Sequence, residues 1–138
     1  MTRTIALVTA ATLAALATGC APSLDGRYRV LIDDDGSITG GDLDLYDDGN
    51  GGAIGEVSLS IDPDCVDLDG RVTLRSAGAD GAYDLDMQFD LWPCGDSTYE
   101  FYPIENGYLW TASSQGEVSS FDGSAFWGSG MVDIDIYR

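Results

Sequence analysis

Apolar and polar residues alternate with a period of two along much of this chain. Leu85, Met87, Phe89 and Leu91 interleave with Asp84, Asp86, Gln88 and Asp90, while Val132, Ile134 and Ile136 interleave with Asp133 and Asp135. Leu43 and Leu45 stand among Asp42 and Asp44 in the same way. Such alternation describes strands with an apolar face inward and an acidic face in water. Between them fall Asp35-Gly36, Asp48-Gly49, Asp69-Gly70, Asp80-Gly81, Asn106-Gly107 and Asp122-Gly123. Tight hairpin turns favour these dipeptides because their central residues need positive φ. No segment after Cys20 sustains a helical period. The pattern predicts an all-β antiparallel meander with strands near 26–33, 37–46, 53–61, 70–76, 82–91, 97–104, 107–113 and 124–137. Glu117 to Phe121 is a candidate further short strand, and Gly128 and Gly130 mark a candidate bulge. About eight meandering strands suggest a small up-and-down barrel, its inside filled by side chains or holding one small ligand. A two-sheet β-sandwich is the alternative.

Tight turns also fix register. With Asp35-Gly36 as a two-residue loop, Arg29 faces Asp42 and Arg27 faces Asp44. With Asp80-Gly81 as the loop, Arg75 faces Asp86 and Arg71 faces Asp90, while Val72 meets Phe89 and Leu74 meets Met87. Cys65 and Cys94 then flank the open end of that second hairpin, where a disulfide is geometrically natural. In strand number and alternation the domain is broadly similar to lipocalin-like and avidin-like barrels, without sharing a motif with them.

The N-terminus is built differently. Met1-Thr2-Arg3-Thr4 is a short basic stretch, Ile5 to Ala17 is apolar, and Ala17-Thr18-Gly19 are small residues before Cys20. This resembles a bacterial lipoprotein signal with its lipobox, although Ala17 stands where the family usually has Leu. The resemblance implies a signal peptide over 1–19, cleavage before Cys20 and lipidation of that cysteine. Ala21 would be compatible with outer-membrane sorting in lipoproteins of Gram-negative type. Ordinary secretory cleavage after Ala17 is the rival. The chain has three cysteines, so lipidating Cys20 leaves Cys65 and Cys94 as a pair, whereas the rival leaves an odd thiol in an oxidising compartment. A spanning helix needs about 18 apolar residues, more than this segment supplies. Residues 20–25 read as a short tether and 26–138 as one domain.

Charge narrows the partners. The chain carries 24 acidic residues against six basic ones, all Arg, for a net charge of −18. Nucleic acid, which is bound through clustered Lys and Arg, is excluded as an expected partner. Anionic lipid would repel the domain, leaving the N-terminal lipid as the membrane attachment. Chemistry is narrowed by absence from the sequence: with no His and no Lys, histidine-based triads, histidine-ligated metals and lysine Schiff bases have no residues to build them. Carboxylate-dependent hydrolysis, for example by Glu100 and Glu105, is the enzymatic alternative. Hard cations such as Ca²⁺ favour loop carboxylates, and Asp33, Asp35, Asp62, Asp64, Asp67 and Asp69 are candidate ligands. The loop around Gly49 does not meet the EF-hand pattern, having Gly55 where a bidentate Glu belongs. Asp-rich turns and a solubilising exterior explain the same residues structurally.

Aromatic residues crowd the second half. Rings in the predicted strands 97–104 and 107–113 fall on both faces, so some are exposed or line a cavity. Trp92, Tyr102, Trp110 and Trp127 are candidate ligand-binding residues. The combined expectation is a lipid-anchored, extracytoplasmic barrel of the bacterial envelope that binds a small molecule, glycan or protein, requires no cofactor and does not catalyse. A Ca²⁺-binding envelope protein is the alternative. Because turns of a meander alternate between ends, the acidic turns near 35, 62–69 and 93–96 are expected at the end opposite the lipid, and those near 48, 80 and 106 at the lipid end.

Overall fold

The computed structural model describes residues 22–138. The expected signal peptide, Cys20 and the first residues of the tether lie outside them. Ten strands follow in order: β1 (Gly26–Asp34), β2 (Ser37–Asp47), β3 (Ala53–Ser60), β4 (Leu68–Ser76), β5 (Ala82–Phe89), β6 (Trp92–Cys94), β7 (Ser97–Tyr99), β8 (Ile104–Ser114), β9 (Glu117–Trp127) and β10 (Gly130–Tyr137). Eight form a closed antiparallel barrel in the order β1-β10-β9-β8-β5-β4-β3-β2, and β6 and β7 form a separate hairpin. The fold is the expected meander barrel rather than the sandwich. Closure joins β1 to β10 from Arg29 opposite Tyr137 to Asp33 opposite Asp133.

The alternating residues fill the inside. Val30, Ile32, Leu43, Leu45, Leu59, Leu74, Leu85, Met87, Leu109, Phe121 and Ile136 are all essentially inaccessible to water. Tyr28 and Tyr83 meet Phe121 edge to face, each with ring centroids 5.8 Å apart. Glycine sits where a strand backbone presses closest on its neighbour: a Cβ at Gly41 or Gly55 would overlap the carbonyl of Ser58 or Asp44. These inward glycines let the sheet coil tightly enough to close.

The Asp35-Gly36 hairpin has the expected register, with ion pairs from Arg29 to Asp42 (2.7 Å) and Arg27 to Asp44 (3.1 Å). The β4–β5 hairpin differs. Its loop is longer than Asp80-Gly81, closing through the Ala77 N–H to the Ala82 carbonyl, so Arg75 stands opposite Asp84, Arg71 opposite Gln88, Val72 opposite Met87 and Leu74 opposite Leu85. The slip is even, so every side chain keeps its face, and Arg75 still reaches Asp86 diagonally at 2.6 Å.

The third quarter of the chain departs most from expectation. Residues 97–103 are not a barrel strand; they belong to the β6–β7 hairpin and the segment leading to β8, which opens at Ile104. Asn106-Gly107 is a bulge within β8, with Asn106 at φ 54° and a register shift between Glu105 and Tyr108. Asp69-Gly70 and Asp122-Gly123 lie inside β4 and β9. The turn that dipeptide reading missed is Gln115-Gly116, with φ of 55° and 80°. The expected single strand 124–137 is divided by the turn at Gly128.

Turns therefore alternate between two ends. The turns after β1, β3 and β9, together with the β6–β7 hairpin, define what we call the distal end; the turns after β2, β4 and β8 define the proximal end. Residues 22–25 are fastened to the proximal end. Ser23 bridges to Glu117, Leu24 is buried, and its N–H donates to Asp47 Oδ1 at 3.0 Å. Arg138 completes that closure: its guanidinium lies 4.6 Å from the centre of the Tyr28 ring and donates to Tyr28 Oη and to the carbonyls of Asp25 and Val118. Burial raises the Tyr28 pKa, with Arg138 opposing the rise.

On the outer face, Asp122 stands directly opposite Asp135. Partial burial, reinforced by Asp122, raises the Asp135 pKa. A carboxyl raised in the folded state contributes most below its unfolded pKa, and that contribution is lost as pH climbs through the folded value. Asp135→Asn is thus expected to raise the melting temperature at neutral pH, corresponding to roughly a few tenths of a kcal/mol after solvent screening. The gain should vanish below about pH 4, as thermal scans across pH would read.

Candidate functional site

The distal end is closed by the β6–β7 hairpin and a cluster of aromatic side chains. Trp92 in β6 is only 5% exposed, and its indole N–H donates to the Val66 carbonyl in the loop after β3. Its ring meets Phe101 at 5.6 Å and Tyr99 at 5.9 Å. Trp127, at the end of β9, carries the cluster onward to Phe89 (5.9 Å) and Phe101 (6.4 Å). The Cys65–Cys94 disulfide ties the loop after β3 to the same hairpin. Indole hydrogen bond, ring packing and disulfide therefore act together to hold the β6–β7 hairpin over the barrel mouth.

The four candidate aromatic residues separate. Trp92 is a structural plug, buried by its neighbours. Trp110 lies on the outer face of β8, 51% exposed and edge to face with Tyr108 at 5.6 Å. Tyr102 and Trp127 come together: the Trp127 indole N–H donates to the Tyr102 carbonyl at 2.9 Å. Tyr102 is 74% exposed. Beside it lies an open groove of about 350 Å³ lined by Tyr102, Pro103, Glu105, Gly128 and Ser129, at the lower limit of volumes typical of ligand sites. Tyr99, Phe101 and Gly128 were not singled out as site residues from the sequence. The signal available for Gly128 was its place between a tryptophan and a second turn residue.

The candidate cation ligands occupy the expected end but serve their own turns. Asp33 accepts from the Gly36 N–H at 2.7 Å, and Asp62 from the Asp64 N–H at 3.0 Å. Asp67 accepts from Ser60 at 3.1 Å and Asp69 from Ser58 at 2.8 Å. Asp35 occupies the positive-φ position of its turn, and Asp64 is exposed. Among the described residues, the Asp, Glu, Cys and His ligand atoms that converge in a group of three are those of Asp62, Cys65 and Cys94, and the two sulfurs are bonded to each other. Disulfide sulfur is not the thiolate that metals take. The proximal end is acidic too, through Asp47, Asp48 and Asp80. Of the hydrolytic candidates, Glu105 lines the Tyr102 groove, while Glu100 lies exposed between β7 and β8.

Comparison with known proteins found no family model that matches the chain and no match among curated proteins.

Two measurements follow from this geometry. Collisional quenching by acrylamide should reach the fluorescence of Trp110 readily and that of Trp92 hardly at all, so Trp110→Phe is expected to remove most of the quenchable emission. Cys65→Ala/Cys94→Ala should lower unfolding free energy by about 2–4 kcal/mol, the range for closing a loop of this order, as read by urea denaturation.

Proposed function

We propose that the protein is a lipid-anchored, extracytoplasmic module of the bacterial cell envelope that binds a ligand, without catalysis, at the end of its barrel opposite the anchor. The observation that carries this reading is polarity. Residues 22–25 are pinned to the proximal end by Ser23, Leu24 and Asp47, whereas the exposed tyrosine and its groove belong to the distal end. A lipid on Cys20 would thus attach within a few residues of the proximal end and present the aromatic end away from the membrane. The disulfide accords with an oxidising compartment outside the cytoplasm. Recognition belongs on the outside of the barrel because its interior is occupied by packed apolar side chains.

Anchoring is tested by Cys20→Ser in a bacterial host with membrane fractionation and intact-mass analysis. The expected result is an unprocessed or mislocalised chain lacking the lipid mass. Normal processing and unchanged membrane association of the variant would overturn the anchor.

A further inference from the structure

We infer that the groove beside Tyr102 is a subsite for a single pyranose ring, uncharged or bearing an amino group, an inference that rests on the binding role proposed above for the distal end. Tyr102 is exposed on a backbone that is held in place. Its carbonyl is held by the Trp127 indole, Pro103 restricts the backbone beyond it, and its ring lies against Gly128. A Cβ at Gly128 would come within 3.3 Å of Tyr102 Cδ2, and φ there is +64°, so glycine both makes the turn and admits the ring. An aromatic side chain on a backbone already held loses less entropy on binding than one on a mobile loop.

The rest of the groove supplies what a sugar ring needs. The negative face of the phenol attracts the polarised C–H groups on one side of a pyranose. Glu105 offers a carboxylate to accept from ring hydroxyls, and Ser129 offers a hydroxyl that both donates and accepts. Charge selects among sugars. A carboxylate in the groove of a chain with net charge −18 opposes uronic or sulfated rings and favours neutral or cationic ones.

The purified protein is titrated with β-1,4-linked oligomers of N-acetylglucosamine (neutral), glucosamine (cationic) and mannuronate (anionic), following the Trp127 indole N–H resonance. Neutral and cationic oligomers should shift it saturably, and the anionic one should bind at least about tenfold more weakly. Tyr102→Ala should weaken neutral binding about tenfold, and Glu105→Gln should narrow the preference for the cationic oligomer over the anionic one. Tyr102 is exposed, and an unchanged circular dichroism spectrum confirms that the Ala variant folds. No saturable shift with neutral or cationic sugars, or equal shifts in Tyr102→Ala, would overturn the subsite. In that case, a photo-crosslinker at Tyr102 in whole envelopes separates the two claims. A specific protein adduct would overturn the sugar subsite and leave the binding role standing, whereas no adduct together with no sugar response would overturn both.

Discussion

Closure of the barrel through β1 and β10 is the constraint on which the remaining features depend. It removes the edges that an open meander would expose, and it commits every second residue of eight strands to a common interior. That interior has to be filled, and Tyr28, Phe121 and the ring of Leu, Val and Ile side chains fill it with groups that water does not reach. The outward positions are then relieved of any packing duty. They carry the acidic residues, with Arg27, Arg29 and Arg75 each placed against an aspartate. Such exposed pairs contribute little apiece; their larger effect is to reduce repulsion within the acidic outer face.

A filled barrel pushes specialised chemistry to its ends, and the two ends are built differently. Arg138 seals the proximal end with its bonds to Tyr28 and to backbone carbonyls, which fastens the last strand to the first. The distal end is capped by a covalently tied hairpin and a chain of rings from Trp92 through Phe101 to Trp127 and Phe89. The outermost ring of that end, Tyr102, reaches water because the packing beneath it is already complete.

The strands were legible because alternation is a local signal that closure only reinforces. Leu43, Leu45, Leu85, Met87, Ile134 and Ile136 point inward as their spacing requires. The turns were less so, since Asp-Gly and Asn-Gly dipeptides serve bulges and inward glycines as well as hairpins. Gly107 and Gly123 sit mid-strand against Leu85 and the Tyr108 carbonyl, and no local pattern separates that role from a turn. The strand expected over 97–104 failed for a related reason: its rings were needed to cap the barrel, a tertiary demand that overrides strand propensity. The disulfide is favoured by the two-residue difference in register: the observed β4–β5 pairing, continued outward from Gly70 opposite Phe89, brings Cys65 level with Cys94, where the expected register left them two residues apart. For the candidate site, Tyr102 and Trp127 were visible as aromatic residues, but their pairing depends on the Gly128 turn and the Trp127 indole bond, both long-range consequences of the fold.

Amide hydrogen exchange resolved strand by strand tests the closed barrel most directly. If β1 and β10 close the sheet, the N–H groups of Arg29, Leu31, Asp135 and Tyr137, which face across that seam, should be protected to the same degree as those of β3 and β4, with opening free energies near the global value. Fast exchange confined to β1 and β10, as at the edges of an open sheet, would contradict closure and with it the assignment of recognition to the barrel's end.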